Sequence, residues 1–102
     1  MPNDKSRPSP IAAALAGFLR ESGLDVRVRQ SEVVARWGEL VGPTIAASTY
    51  ALAVSPDSTL FVAVKSHAWM TELSMMEREL LEAVNRATAD APIKRIRFQL
   101  AR

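Results

Sequence analysis

An α+β fold with a small three-stranded sheet is predicted by three features of the sequence. Hydrophobic spacing changes from a helical to a strand period near Thr49, returns to helical spacing after Ser66, and ends in the alternating stretch "IKRIRFQL". The chain has 102 residues, 48% of them hydrophobic, which suits one compact domain with a real core. The expected order is helix, helix, strand, strand, helix, strand, with helices covering one face of the sheet.

Residues 1–8 carry two prolines and three charged side chains and read as a flexible tail, leaving 9–102 as the single domain. "SPIAAALAGFLRESGL" is the first helix. Ser9 is its N-cap, Pro10 suits the first helical position, and Gly23 suits the position past the end. Ile11, Leu15 and Phe18 recur at helical spacing, and the alanines between them permit close approach. "VRQSEVVARWGELVG" is the second helix, with Val33 or Val34, Trp37, and Leu40 or Val41 on one face. Gly42 and Pro43 stop it, and "PTIAAS" adds a short turn of helix.

"TYALAVS" then places Tyr50, Leu52 and Val54 on one side of a strand and Ala51 and Ala53 on the other. "PDS" is a turn, and "TLFVAVK" a second strand, so the two make an antiparallel hairpin. The second strand is apolar on both sides except at Lys65, which suggests a central position or a face used for a partner. Ser66 caps the long helix that follows, whose stripe runs through Trp69, Leu73, Met76, Leu80, Val84 and Ala87. Pro92 disfavours helical angles at Ala91 and ends it. In the last strand Ile96, Phe98 and Leu100 face one way, and Arg95, Arg97 and Gln99 the other.

Composition narrows the chemistry. There are 13 Lys+Arg against 11 Asp+Glu, a mild excess that permits a polyanion partner without demanding one. Cysteine is absent and His67 is the lone histidine, so neither a thiolate site nor a histidine pair can hold a metal. His67 reads as an exposed residue in the first turn of its helix. No glycine-rich phosphate loop and no triad spacing occur. The expectation is a non-enzymatic protein without cofactor, metal or small-molecule substrate. No apolar run approaches the ~20 residues of a membrane span, and no secretory h-region opens the chain, so a cytoplasmic protein is expected.

Lys94, Arg95 and Arg97 lie within four residues, and Arg95 and Arg97 must share a strand face. If Lys65 sits on that face, a cluster forms that would neutralise phosphates; the alternative is an edge strand kept soluble by charge. Arg27 and Arg29 are further candidates for a positive rim. Trp69 opens the core stripe, or else offers a platform for a base. Met70 and Met75 fall beside the stripe and could enlarge it or form a soft docking patch.

Four motifs occur in order: "W-x-x-x-V-G-x-x-I-A" from Trp37, "L-x-V-x-V-x-S-x-x-W-x-x-E-L" from Leu60, "L-L-x-x-V-N" from Leu80, and "I-K-R-I-R-F" from Ile93. Together they resemble the DciA-like family of small bacterial proteins, over roughly residues 11–100. The resemblance implies a KH-like domain lacking the G-x-x-G loop of true KH domains. It also implies a role in starting DNA replication, in which the protein binds the replicative DnaB-type helicase and DNA, single-stranded or forked, and helps load the helicase without being an ATPase. Many members carry a further basic segment beside the domain; here Arg102 follows directly on the last strand, so the protein is expected either to be minimal or to share that task with its own surface. The DNA contacts expected are Lys65, Lys94, Arg95 and Arg97. Trp37, Met70 and Met75 are the candidates for a protein partner. The alternatives are an RNA- or ribosome-associated KH-like module on the same basic face, and a protein-interaction or homodimer module extending a sheet across subunits.

Overall fold

Side-chain caps and left-handed glycines divide the chain where the sequence places its punctuation. The computed structural model describes residues 9–88 and 90–101, so the tail expected over 1–8 lies outside the described residues. Helix α1 (Pro10–Ser22) begins where the Ser9 hydroxyl accepts the Ala12 N–H at 3.0 Å. It ends at Gly23, whose φ of 76° is readily adopted only without a Cβ. Helix α2 (Leu24–Val41) restarts at once, four residues earlier than "VRQSEV" implies, because Gly23 serves as the last cap of one helix and the first of the next. Gly42, at φ 92°, ends α2 and is followed by the short α3 (Pro43–Ala46). A Cβ on Gly38 would meet the Ala46 Cβ at 3.3 Å, which marks a close approach of α2 and α3 at that position.

Strands β1 (Thr49–Val54) and β2 (Thr59–Val64) form the expected antiparallel hairpin, and β3 (Arg95–Leu100) adds parallel to β2, giving the order β1-β2-β3. The α+β class is thus as the sequence predicts, with β2 central. The pairing shifts between Ala51 and Ala53, a bulge at Leu52. Thr49, Ala51 and Val54 therefore stand on the core side with Val64, Val62 and Leu60, while Tyr50 and Ala53 pair with Ala63 and Phe61 on the opposite face. The simple alternation expected for Tyr50, Leu52 and Val54 is broken by that one extra residue.

The long helix is two helices, α4 (His67–Met75) and α5 (Glu77–Asn85), separated at Met76 with φ −100° and ψ 11°. Neither Gly nor Pro sits there. Instead the hydroxyls of Thr71 and Ser74 donate to the carbonyls of His67 and Met70, at 3.1 and 2.7 Å, and such back-bonding bends helices. The stripe survives the bend: Leu73, Leu80 and Val84 are buried, and Met76 packs at the core's margin. Trp69, donating its backbone N–H to the Ser66 hydroxyl at 3.2 Å, is only half-buried.

The core lies between the helices and the even-numbered face of β2. Leu60, Val62 and Val64 meet Val33 and Trp37 of α2, Leu73 of α4, and Leu80 and Val84 of α5. Fully burying each such side chain contributes roughly 1.5–3 kcal/mol. Trp37, expected at a partner surface, is instead 3% exposed, and its indole Nε1 donates to the Thr49 hydroxyl at 2.8 Å. The reason is geometric: α2 packs across β1, and the ring fills the space between them. Helix α1, by contrast, packs among the described elements only against α2 and leaves Ile11, Leu15 and Phe18 exposed.

Asn85 holds the chain between α5 and β3. Its Nδ2 donates to the Ile93 carbonyl at 3.0 Å, and its Oδ1 accepts the Ile93 N–H at 2.8 Å and the Thr88 hydroxyl at 3.1 Å. Ile93 is 2% exposed, so water cannot replace these partners. Asn85→Leu should therefore lower stability by about 1–3 kcal/mol per unsatisfied group. Urea unfolding should show a lower midpoint with an unchanged slope; an unshifted midpoint would remove this role.

Candidate nucleic-acid interface

Helices cover one face of the sheet, and the other carries the odd-numbered residues of β2 and β3. The parallel register places Thr59 beside Arg95, Phe61 beside Arg97 and Ala63 beside Gln99. The antiparallel register adds Ala53 next to Phe61 and Tyr50 next to Ala63. Two rows result, Ala53–Phe61–Arg97 and Tyr50–Ala63–Gln99. The ladder continues one step, as the Lys65 N–H donates to the Ser48 carbonyl at 3.0 Å, so Lys65 follows Ala63 in the odd series. The backbone register therefore puts Lys65, Arg95 and Arg97 on one side of the sheet, with Lys65 roughly 13 Å along the strands from the level of Arg97 rather than beside it.

Lys94 is placed differently. It precedes β3, its N–H donates to the Ser58 carbonyl at 2.9 Å, and it is exposed at the border of the face. Of the two arginines considered for the rim, Arg29 is paired with Asp90 at 3.1 Å, while Arg27 lies in a groove between α2 and β1 beside Leu52 and Ala53.

The electrostatics of the face depend on its carboxylates. Lys65, Lys94, Arg95 and Arg97 are all exposed, and none forms a salt bridge with another described residue. Two acids stand at the margins. Glu77, at the start of α5, accepts the Ile96 N–H at 2.9 Å, spending one carboxylate oxygen on the free edge of β3. Asp57, in the β1–β2 turn, has its carboxyl held below its usual range, first by the hydrogen bond from the Ser55 hydroxyl, then by Thr59, with the field of Arg95 the smallest contribution. That turn interaction is present above the usual aspartate range and is lost as pH falls through the lowered value. Arg95 thus has both Asp57 and Glu77 nearby, and Arg97 shares a small cleft with Glu77 without forming a salt bridge to a described residue.

The partner-surface residues separate as well. Met75 is 73% exposed, Met70 is half-buried against the core, and Trp37 is inside. Trp69 lines an apolar groove between α3 and α4 with Val41, Pro43, Ile45 and Met76. His67 is exposed in the first turn of α4. Among the described residues no group of three or more acids and histidines is placed to hold a metal ion, and no helix is long and apolar enough to cross a membrane. Sequence reading did not single out Tyr50 or Phe61. The signal for Phe61 was the two-sided apolarity of "TLFVAVK", whereas Tyr50 was hidden by the bulge.

Comparison with known proteins places this architecture among relatives. The sequence model of the family described as Dna[CI] antecedent, DciA matches residues 10–98. A UPF0232 protein of Rhodococcus jostii is 31% identical over 97 residues, which span 95% of this chain and 50% of that protein. A UPF0232 protein of Mycobacterium tuberculosis is 29% identical over 91 residues, spanning 89% of this chain and 48% of its own length. One from Mycobacterium leprae is 23% identical over 95 residues, spanning 93% and 50%. The chain spans about half the length of the curated relatives it matches.

Proposed function

Because the chain belongs to the DciA family, we propose that it is a non-enzymatic adaptor in the initiation of bacterial DNA replication, binding a DnaB-type replicative helicase and DNA to assist helicase loading. The described residues from Ser9 onward act as one domain in this reading, and the site of action is the cytoplasm. The observation that carries the DNA half is the open sheet face, on which Arg95 and Arg97 stand exposed and outside any salt bridge with the described residues. Unpaired guanidiniums aligned along one strand neutralise successive phosphates and release counterions when they do. Lys65 extends the same face and Lys94 borders it. Charge spaced along a strand serves a backbone of regular anions better than it serves solubility alone, which either sign of charge would provide. The helicase half draws on the resemblance and on Met75, whose exposed, flexible side chain suits a protein contact; Met70 lies on the same helix, half-buried against the core.

Two measurements on the purified chain test this reading. Immobilised protein should retain a purified DnaB-type helicase, and fluorescence anisotropy should show DNA binding that weakens linearly on a log–log plot against salt. Failure to retain the helicase would remove the adaptor role. Salt-independent or absent DNA binding would remove the assignment of the sheet face.

A further inference from the structure

The two aromatic rings on the open face have no partner layer among the described residues. Tyr50 is 47% exposed and Phe61 is half-buried, although both lie in the middle of strands. Each ring stands beside an alanine in the strand pairing, Tyr50 beside Ala63 and Phe61 beside Ala53. Ala53 is exposed, whereas Ala63 is 2% exposed and lies beneath its larger neighbours on this face, so the ring area on offer is what Tyr50 and Phe61 turn toward solvent. The rings are diagonal neighbours: Phe61 sits two residues before the residue opposite Tyr50, a spacing of roughly 7–8 Å. The cations flank them. Arg97 pairs with Phe61 on one side, and Lys65 follows Ala63 beyond Tyr50 on the other.

We infer that Tyr50 and Phe61 form a stacking platform for two bases of single-stranded DNA, whose phosphates run along Lys65, Arg95 and Arg97. The inference rests on the DNA-binding reading proposed above and specifies the form of nucleic acid that this face takes. The chemistry selects it. Aromatic rings gain from the flat faces of bases, which in a duplex are already covered by their neighbours. The duplex also sets its bases ~3.4 Å apart along each strand, so two bases cannot occupy rings twice that distance apart without unstacking. A single strand opens to that spacing at little cost. An apolar protein partner would find the flanking guanidiniums unfavourable to bury, whereas a strand of phosphates finds them complementary.

The test uses the full chain, a fluorescein-labelled thymidine oligomer of about 15 nucleotides, and a duplex of the same length. Tyr50→Leu and Phe61→Leu keep apolar bulk on the strands and remove the aromatic face, and thermal melts of both variants establish that they fold. Each substitution should weaken binding to the oligomer by about 5- to 150-fold. Duplex affinity should change less than about twofold, and the salt slope for the oligomer should stay that of the wild type, because the phosphate contacts are untouched. Unchanged affinity for the oligomer in folded variants would overturn the platform while leaving DNA binding in place. Equal losses for oligomer and duplex would overturn it too, since stacking would not then distinguish them. A wild type that binds neither would instead remove the reading beneath. Tighter binding to the matching RNA oligomer, with the same loss in both variants, would overturn the assignment to DNA.

Discussion

Trp37→Ala is expected to cost about 3–5 kcal/mol, most of the stability of a marginal domain. The indole is 3% exposed and wedged where α2 crosses β1, against a core whose other members are themselves buried. Removing it leaves a cavity that backbone on two sides prevents from collapsing. It also strands the Thr49 hydroxyl, which accepts from the indole Nε1 at 2.8 Å and donates to the Ile45 carbonyl at 2.7 Å, so the ring anchors α3 as well as β1. Trp37→Phe separates the two contributions: it keeps most of the ring and loses the hydrogen bond, at an expected cost of about 0.5–1.5 kcal/mol for the bond plus a smaller cavity. The same truncation at half-buried Trp69 should cost less, because that ring lines an open groove. Urea unfolding monitored by far-UV circular dichroism ranks the three variants. An alanine variant within ~1 kcal/mol of wild type would contradict the assignment of Trp37 to the core.

Trp37 illustrates what the sequence can and cannot convey. Its periodicity with Val33 and Val41 marks it as facing something, but period alone does not distinguish a core from a partner. The distinction came from which element α2 packs on, a tertiary fact. Local punctuation was legible because it is local chemistry: Gly23 and Gly42 take positive φ, and Ser9 and Ser66 cap helices, whereas α5 ends at Asn85, ahead of the stop expected at Pro92. The bulge at Leu52 had no such mark, since "ALA" fits a regular strand equally well, and it separates Tyr50, on the open face, from Val54, on the core side, which were expected to share one side. The bend at Met76 was similarly silent, arising from hydroxyls of Thr71 and Ser74 that could as well have faced water. For the candidate site, the shared face of Arg95 and Arg97 followed from strand parity alone. Its union with Lys65 needed the parallel register of β3 against β2, which depends on a crossover through α4 and α5 rather than on any short stretch of sequence.

That register makes charge reversal at the face the decisive functional test. In Arg95→Glu/Arg97→Glu, each substitution removes one charge-assisted contact of about 1.5–3 kcal/mol, roughly 10- to 150-fold in affinity, and sets a repelling carboxylate in its place. The double variant should bind DNA at least about 100-fold more weakly, and its log–log salt slope should shrink by about 1.8 for duplex, 0.9 for each phosphate no longer neutralised. Stability should barely move at position 97, whose side chain is exposed and forms no salt bridge with the described residues. Arg95→Glu alone carries a complication: Asp57 lies close enough for Arg95 to depress its carboxyl, so the reversal brings like charges together at the β1–β2 turn. Arg97→Glu is therefore the cleaner single variant. Lys94→Glu provides the contrast, because Lys94 stands before β3 at the border of the face and should lose less affinity than Arg97→Glu. If all three positions respond equally and the slope is unchanged, the protein senses net charge rather than an aligned row. If Arg97→Glu binds as the wild type does, the open sheet face is not where DNA sits.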